Sequence, residues 1–117
     1  MIFSDDIKDG VVIFKLSEKI MSCYDAYPLI DRLKDFIQRG KKKIIMDFSD
    51  VPWMNSQGVA MIIWAVTTTS NADGSIVFSG FSESVERVLG ITKLDKALTR
   101  FSNIDEALNS FSENTLL

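Results

Sequence analysis

The chain has 117 residues, which is enough for one compact domain and too few for two. Its hydrophobic content of 46% and charged content of 25% are typical of a globular protein and exclude disordered and collagen-like classes. The net charge of −3 argues against nucleic acid or a membrane as a partner, and the absence of histidine excludes a Ser-His-Asp triad, an imidazole base and histidine metal ligands.

Strands and helices alternate in the first part of the sequence. Residues 11–16 form a β-branched and aromatic run behind a turn, which predicts a strand, and residues 17–22 are expected to form a second short strand and a loop. Apolar residues then recur at spacings of three and four over residues 26–37, which predicts an amphipathic helix. Ser22 and Asp25 are both candidate N-caps for it, and the proline that follows favours Asp25.

The remaining elements continue this alternation. In chain order they are a buried strand at 44–48, a helix from Ser56 or Gln57 to about residue 70, a buried strand at 76–78, a short helix from Ser82 or Ser84, a last strand at 98–101 and a closing helix that starts at Asn103. Strands that alternate with helices predict an α/β fold with a largely parallel sheet.

The segment from Asp47 to Val59 joins an inner strand to a helix, which is where open α/β sheets place ligand and partner sites. Asn55 and Ser56 are both N-cap candidates, so one interpretation of Ser56 is that it satisfies a backbone N–H of the first turn. The other is a phosphorylation site, because the free N–H groups and positive dipole end of a helix stabilise added negative charge. Gly58 would allow another backbone to approach closely. Both interpretations of Ser56 remain open on the residues alone.

The same segment resembles the signature of STAS domains, especially the anti-sigma factor antagonists of bacterial partner-switching systems. That signature is an Asp that closes a strand, a hydrophobic turn, and then Asp-Ser-x-Gly at the start of a helix. Asp47 and the run from Asn55 to Gly58 occupy these positions. The resemblance continues through residues 74–78, 88–95 and 104–108 in the family's order and spacing.

This resemblance implies a single STAS-like domain over residues 1–117, an α/β fold with a central mixed, largely parallel sheet of four to five strands and about four helices. It also implies a non-enzymatic, phosphorylation-controlled protein-binding switch. The unphosphorylated form would bind a serine kinase, itself an anti-sigma factor with a histidine-kinase-like ATPase fold, and phosphorylation at Ser56 would release it. A PP2C-type serine phosphatase would reset the switch. ATP and Mg²⁺ would belong to the kinase, so no cofactor or metal is expected in this chain.

By the same resemblance, the docking face consists of the turn before the helix and the helix itself. Its residues are Asp47, Trp53, Met54, Asn55, Ser56, Gln57, Gly58, Met61 and Trp64. Met61 and Trp64 can share a helix face because they are three residues apart. The core stripe is better fitted by Ile62, Ile63 and Val66. Trp53 lies in a turn, where a large ring is expected to be partly exposed. Core and interface both remain open for the four apolar members of this set.

Three positions depart from the family pattern. Asn55 stands where the family usually has Asp, which keeps the capping ability but removes a carboxylate. Gln57 replaces the small residue that is common before the glycine. The Gly-x-Leu-Asp turn expected after the first strand is not recognisable in residues 17–22, so no site residue is assigned there.

The main alternative is a non-switching STAS scaffold subunit of a larger signalling or lipid-transport complex, with Ser56 as a helix cap only. An enzyme is not expected, because Ser56 has no histidine and no Gly-x-Ser-x-Gly turn around it, and the sequence has no phosphate-binding glycine loop. The single cysteine, Cys23, cannot form an intrachain disulfide, and the longest apolar run, residues 59–66, is too short to span a membrane. We therefore expect a cytoplasmic protein.

Overall fold

The computed structural model describes the backbone of residues 1–116 and, apart from Cys23, Asp25 and residues 113–116, their side chains. The Cys23 thiol and the Asp25 cap considered above therefore lie outside the described residues. In chain order the elements are β1 (Ile2–Lys8), β2 (Val11–Ser17), a 3₁₀ turn (Cys23–Ala26), α1 (Tyr27–Gln38), β3 (Lys43–Asp50), α2 (Ser56–Asn71), β4 (Ser75–Ser79), α3 (Glu83–Ile91), β5 (Arg100–Phe101) and α4 (Ile104–Leu116).

Within the described residues, five strands form one mixed sheet in sequence order, β1-β2-β3-β4-β5. β1 and β2 pair antiparallel, and every other neighbouring pair is parallel. Asp9 and Gly10, which join β1 to β2, both have positive φ, 54° and 79°, because the mirror-image turns of two-residue hairpins match the twist of the strands. The predicted mixed, largely parallel sheet with its helices is confirmed.

Helices cover both faces of the sheet. α1, α2 and α3 pack over the larger core on one face, and α4 packs over a smaller cluster on the other. β3 contributes to both, because alternate side chains point to opposite faces: Met46 and Phe48 join the larger core, whereas Ile45 joins the cluster under α4. All residues from 44 to 48 are buried, which confirms the predicted inner strand.

The two edge strands differ from the prediction. β1 is absent from it, because an edge strand buries little and its sequence, IFSDDIK, has no regular alternation of apolar and polar residues. Two of its apolar side chains, Ile2 and Ile7, are exposed. β5 is shorter than the predicted strand at 98–101 and contains only Arg100 and Phe101.

Polar side chains cap the segments that follow the strands. Ser22 caps the 3₁₀ turn before α1, so the α-helix itself begins later than its apolar stripe predicts. Ser82 Oγ accepts a hydrogen bond from the Val85 N–H at 3.2 Å, and Asn103 Oδ1 accepts one from the Glu106 N–H at 2.9 Å. These two bonds start α3 and α4 at the predicted positions.

Candidate functional site

The turn between β3 and α2, residues 51–55, is held in place by the segment that follows β2. The Ile20 N–H donates to the Trp53 carbonyl oxygen at 3.1 Å, and Ile20 forms a single parallel bridge with Met54. The short strand predicted within residues 17–22 is reduced to this bridge. The turn is thereby fixed along its β2 side by backbone hydrogen bonds rather than left as a free loop.

Asn55, not Ser56, caps α2. Asn55 Oδ1 accepts a hydrogen bond from the Gln57 N–H at 2.9 Å, and the Asn55 backbone is extended, as an N-cap requires. Ser56 is the first residue of the helix and is exposed. Within the described part of the chain its hydroxyl makes no hydrogen bond. The interpretation of Ser56 as the helix cap is therefore wrong, because the preceding amide already takes that position.

Asp47 is buried and bonded to protein groups at the carboxyl edge of the sheet. Its Oδ1 accepts from the Ser79 hydroxyl at 2.7 Å and from the Ser49 hydroxyl at 2.9 Å, and its Oδ2 accepts from the Ser49 N–H at 3.3 Å. At Gly80, where φ is +73°, an added Cβ would lie 2.2 Å from the Ser49 hydroxyl. The prediction that Asp47 contacts a partner is thus corrected: it joins the ends of β3 and β4 inside the protein.

Ser49, Ser79 and Gly80 are members of this arrangement that the sequence reasoning missed. Ser79 is fully buried although it ends a strand next to a turn. A serine that ends one inner strand and an aspartate near the end of the neighbouring strand are the signal that could have predicted the contact, since Asp47 and Ser79 are paired in the parallel register of β3 and β4.

Three other predicted contact residues belong to the interior. Met54 and Met61 have no exposed surface, and Gly58 is buried. A Cβ on Gly58 would lie 2.7 Å from Met54 Cβ and 2.8 Å from Met54 Sδ, so the group that approaches this glycine is the chain's own methionine rather than another backbone. These three residues lie inside the protein and do not reach a partner directly.

The outer surface of the site is formed by the remaining predicted residues. Trp53 is 39% exposed, Ser56 and Gln57 are exposed, and Trp64 is partly exposed. Ile63, which the spacing assigns to the core, is instead 48% exposed. The reason is that it follows Ser56 by seven residues and therefore lies on the same outward face of α2.

The aromatic contacts of Trp64 connect this surface to the start of α1. The Trp64 ring meets the Tyr27 ring edge-to-face with centroids 5.0 Å apart, and Tyr27 lies 5.9 Å from Tyr24. Neither tyrosine was assigned from the sequence. The available signal is that Tyr27 stands outside the apolar stripe of α1, so its ring has no place in the core.

The segment that forms the turn and α2 carries no charged side chain. Residues 51–72 contain no Asp, Glu, Lys or Arg, although these residues make up 25% of the chain. The centres of protein–protein interfaces are depleted in charged residues and enriched in aromatic ones. An exposed helix of this composition is therefore typical of a surface that another protein covers.

Two further features bear on the kind of ligand. Among the described residues, no group of three or more acidic, cysteine or histidine side chains is arranged to hold a metal ion. In that same part of the chain, none of the helices combines the length and the apolar character that crossing a bilayer requires.

The fold and the composition of the β3–α2 turn together define the class. The chain belongs to the STAS domain family, whose sequence profile matches residues 3–107. Among curated proteins it is similar to an anti-sigma factor antagonist homologue of Thermotoga neapolitana, named as a candidate, with 34% identity over 74 residues. That match spans 63% of the length of this chain and 66% of the length of the relative.

Solved structures match the fold of this chain. A crystal structure described as a candidate anti-sigma factor antagonist from Thermotoga maritima matches with a TM-score of 0.78 and 27% identity over 92% of both chains. SpoIIAA in its unphosphorylated form matches with a TM-score of 0.79 at 17% identity, over 96% of this chain and 97% of that one. Its phosphorylated form matches with a TM-score of 0.72 at 16% identity, over 94% and 99%. The two SpoIIAA structures share the fold.

Proposed function

We propose that this chain is a protein-binding switch of a bacterial partner-switching pathway and that phosphorylation at Ser56 controls it. The observation that carries the proposal is the state of Ser56. Asn55 caps α2, which leaves the Ser56 hydroxyl exposed and available at the first position of the helix. A phosphate can be added there without disturbing the core. The similarity to proteins named as anti-sigma factor antagonists supports the same assignment.

The proposed partner is a serine kinase that is also an anti-sigma factor and has a histidine-kinase-like ATPase fold. The Ser56 oxygen would take the γ-phosphoryl group of ATP: the new P–O bond forms as the bond to ADP breaks, and the serine proton passes to a base of the kinase or to water. ATP and Mg²⁺ belong to the kinase in this scheme. This chain supplies the acceptor hydroxyl and the docking surface, and a PP2C-type phosphatase removes the phosphate.

The proposed release is electrostatic. Phosphate adds about −1.5 to −2 charges, and residues 51–72 contain no Lys or Arg to pair with it. In the free chain, water and the N-terminus of α2 stabilise the phosphate. In the complex, burying it unpaired would cost roughly 2–4 kcal/mol, or about 30- to 1000-fold in affinity. The partner would thus leave without refolding of this chain, which agrees with the similarity of its fold to both forms of SpoIIAA.

The test uses the purified chain and each serine kinase of this fold from its own genome, with ATP and Mg²⁺. Intact mass should show one phosphate on the wild type and none on Ser56→Ala. Ser70→Ala, which changes an exposed serine at the other end of α2, should be phosphorylated like the wild type. The phosphorylated chain should bind its kinase about 30- to 1000-fold more weakly. Phosphate on Ser56→Ala, or equal affinity of the two forms, would contradict the proposal.

A second candidate is a non-switching scaffold subunit of a larger signalling or lipid-transport complex. The uncharged, exposed face of α2 is equally compatible with a constant interface. A scaffold would co-purify with its complex in constant proportion, whatever the state of Ser56. A switch would be recovered with its kinase only in the unphosphorylated form.

A further inference from the structure

Apolar side chains from a second segment lie beside α2. Met21 is 56% exposed, Tyr24 74% and Tyr27 50%, and Tyr27 is in edge-to-face contact with Trp64. We call these four residues the aromatic patch. Large apolar side chains exposed together, rather than singly, mark surfaces that bind other proteins.

The Asn55 side chain ties the aromatic patch to the turn. Its Oδ1 accepts from the Gln57 N–H at 2.9 Å, while its Nδ2 donates to the Met21 carbonyl oxygen at 3.2 Å. The Asn55 backbone N–H also donates to the Ile20 carbonyl oxygen at 3.1 Å. Only an amide can make both side-chain bonds, because a carboxylate has no donor and would place an oxygen against the Met21 carbonyl. The departure from the family's Asp at this position therefore has a structural consequence.

Resting on the proposed function, we infer that the kinase docks on a composite surface, formed by the exposed face of α2 and the aromatic patch, and that Asn55 is the positioning residue that holds the two together. The occupant presents an uncharged, largely apolar surface. Ser56 lies at the border of this surface, next to Asn55, where an added phosphate meets the occupant.

The size of α2 supports a composite surface. Ten of its sixteen residues are at least partly exposed, whereas a standard interface has roughly 20–30 residues on each side. The helix alone is too small, and the aromatic patch extends the contact area on the side of Trp64. Aromatic residues are also the side chains that most often dominate binding energy.

The charges indicate which occupant fits. Residues 51–72 offer no charge to a strongly basic or acidic partner surface, so the fit is to apolar and neutral polar groups. A second copy of this chain would bring another net charge of −3 to the complex. That repulsion favours a different protein as the occupant.

The experiment uses the kinase that phosphorylates the wild-type chain in the test described under Proposed function, and it measures the affinity of this kinase for three variants. Asn55→Ser keeps a neutral capping oxygen but is too short to reach the Met21 carbonyl. Tyr27→Ala and Tyr24→Ala remove rings of the aromatic patch. Ile91→Ala is the control, because it removes a side chain that is 76% exposed at the far end of α3.

Each of the three test variants should weaken binding about tenfold or more, and Ile91→Ala should bind like the wild type. In Asn55→Ser, amide hydrogen exchange should accelerate in residues 21–24, while the other helices keep their protection. Wild-type affinity in the tyrosine variants, or in Asn55→Ser despite faster exchange, would overturn the composite surface and leave the Ser56 switch intact.

Two other outcomes would overturn the choice of the kinase as the occupant. If none of the kinases binds the wild-type chain, both the switch and the composite surface fail. Sedimentation of the wild type alone tests the remaining occupant: a dimer that Tyr27→Ala abolishes would assign the surface to a second copy of this chain and exclude the kinase as the occupant.

Discussion

Gly58 shows how closely the turn is packed on its own helix. A Cβ added there would meet Met54 Cβ at 2.7 Å, which is a rigid part of that side chain, so the turn or the helix would have to shift. Overpacking of this kind costs roughly 1–3 kcal/mol, and the better helix propensity of alanine returns about 1 kcal/mol. We expect Gly58→Ala to lower the free energy of unfolding by up to about 2 kcal/mol, as measured by urea denaturation followed by tryptophan fluorescence.

Gly90→Ala is the matched control for this prediction. Gly90 also lies in a helix, but an added Cβ meets nothing within 4 Å. Only the propensity gain applies, so this variant should be more stable than the wild type by up to about 1 kcal/mol. The two substitutions should therefore have opposite signs, and a stabilised Gly58→Ala would show that Met54 is not held against the helix.

The sequence predicts the roles of the other site residues where these depend on neighbours in the chain, and does not where they depend on residues far away in the chain. The place of Asp47 in an inner strand and of Ser56 at the start of a helix follow from the sequence, because both depend on local signals. The partner of Asp47 does not, since Ser79 is 32 residues away. Asn55 and Ser56 were equivalent cap candidates, and the choice between them depends on the Met21 carbonyl, which only the fold brings near.

At the scale of elements, α2 is a helix whose dipole has no charged side chain to offset it. A negative charge at its N-terminus should stabilise it, and the same charge at its C-terminus should destabilise it, each by about 0.3–1 kcal/mol. We expect Ser56→Asp to unfold at a higher urea concentration than the wild type and Ser70→Asp at a lower one. A destabilised Ser56→Asp would show that the N-terminus of α2 does not stabilise added negative charge at this position.

The sequence predicts best those elements in which apolar residues follow a clear helical or strand pattern. α1 is recognisable because it buries a full apolar stripe, and β3 is recognisable because it is buried on both faces. In both elements the buried residues are mainly apolar. β1 is missed because it lies at the edge and is stabilised by its seven-residue pairing with β2 rather than by its own burial. Residues 17–22 show the opposite case, because burial is present there and strand pairing is nearly absent. Ile20 is buried, but it forms a single bridge, with Met54.

On the scale of the whole molecule, the two faces of the sheet have different roles. The face under α1, α2 and α3 carries the larger core and, above it, the exposed surface around Ser56. The other face is covered by α4 through a smaller apolar cluster that includes Ala107 and Leu108. The charge-free stretch and the aromatic patch are both on the first side, so binding and modification should depend little on the second.

Leu108→Ala tests this division of roles. Leu108 is buried against the sheet in the smaller cluster, so its truncation should lower the free energy of unfolding by about 2–4 kcal/mol. Below the unfolding transition, however, the rate of phosphorylation at Ser56 by the kinase should equal that of the wild type, because α4 makes no part of the docking surface. Far-UV circular dichroism at the assay temperature controls for the folded fraction. A fully folded Leu108→Ala that is phosphorylated much more slowly would show that the α4 face contributes to docking, since the packing defect itself lies on the opposite side of the sheet from Ser56.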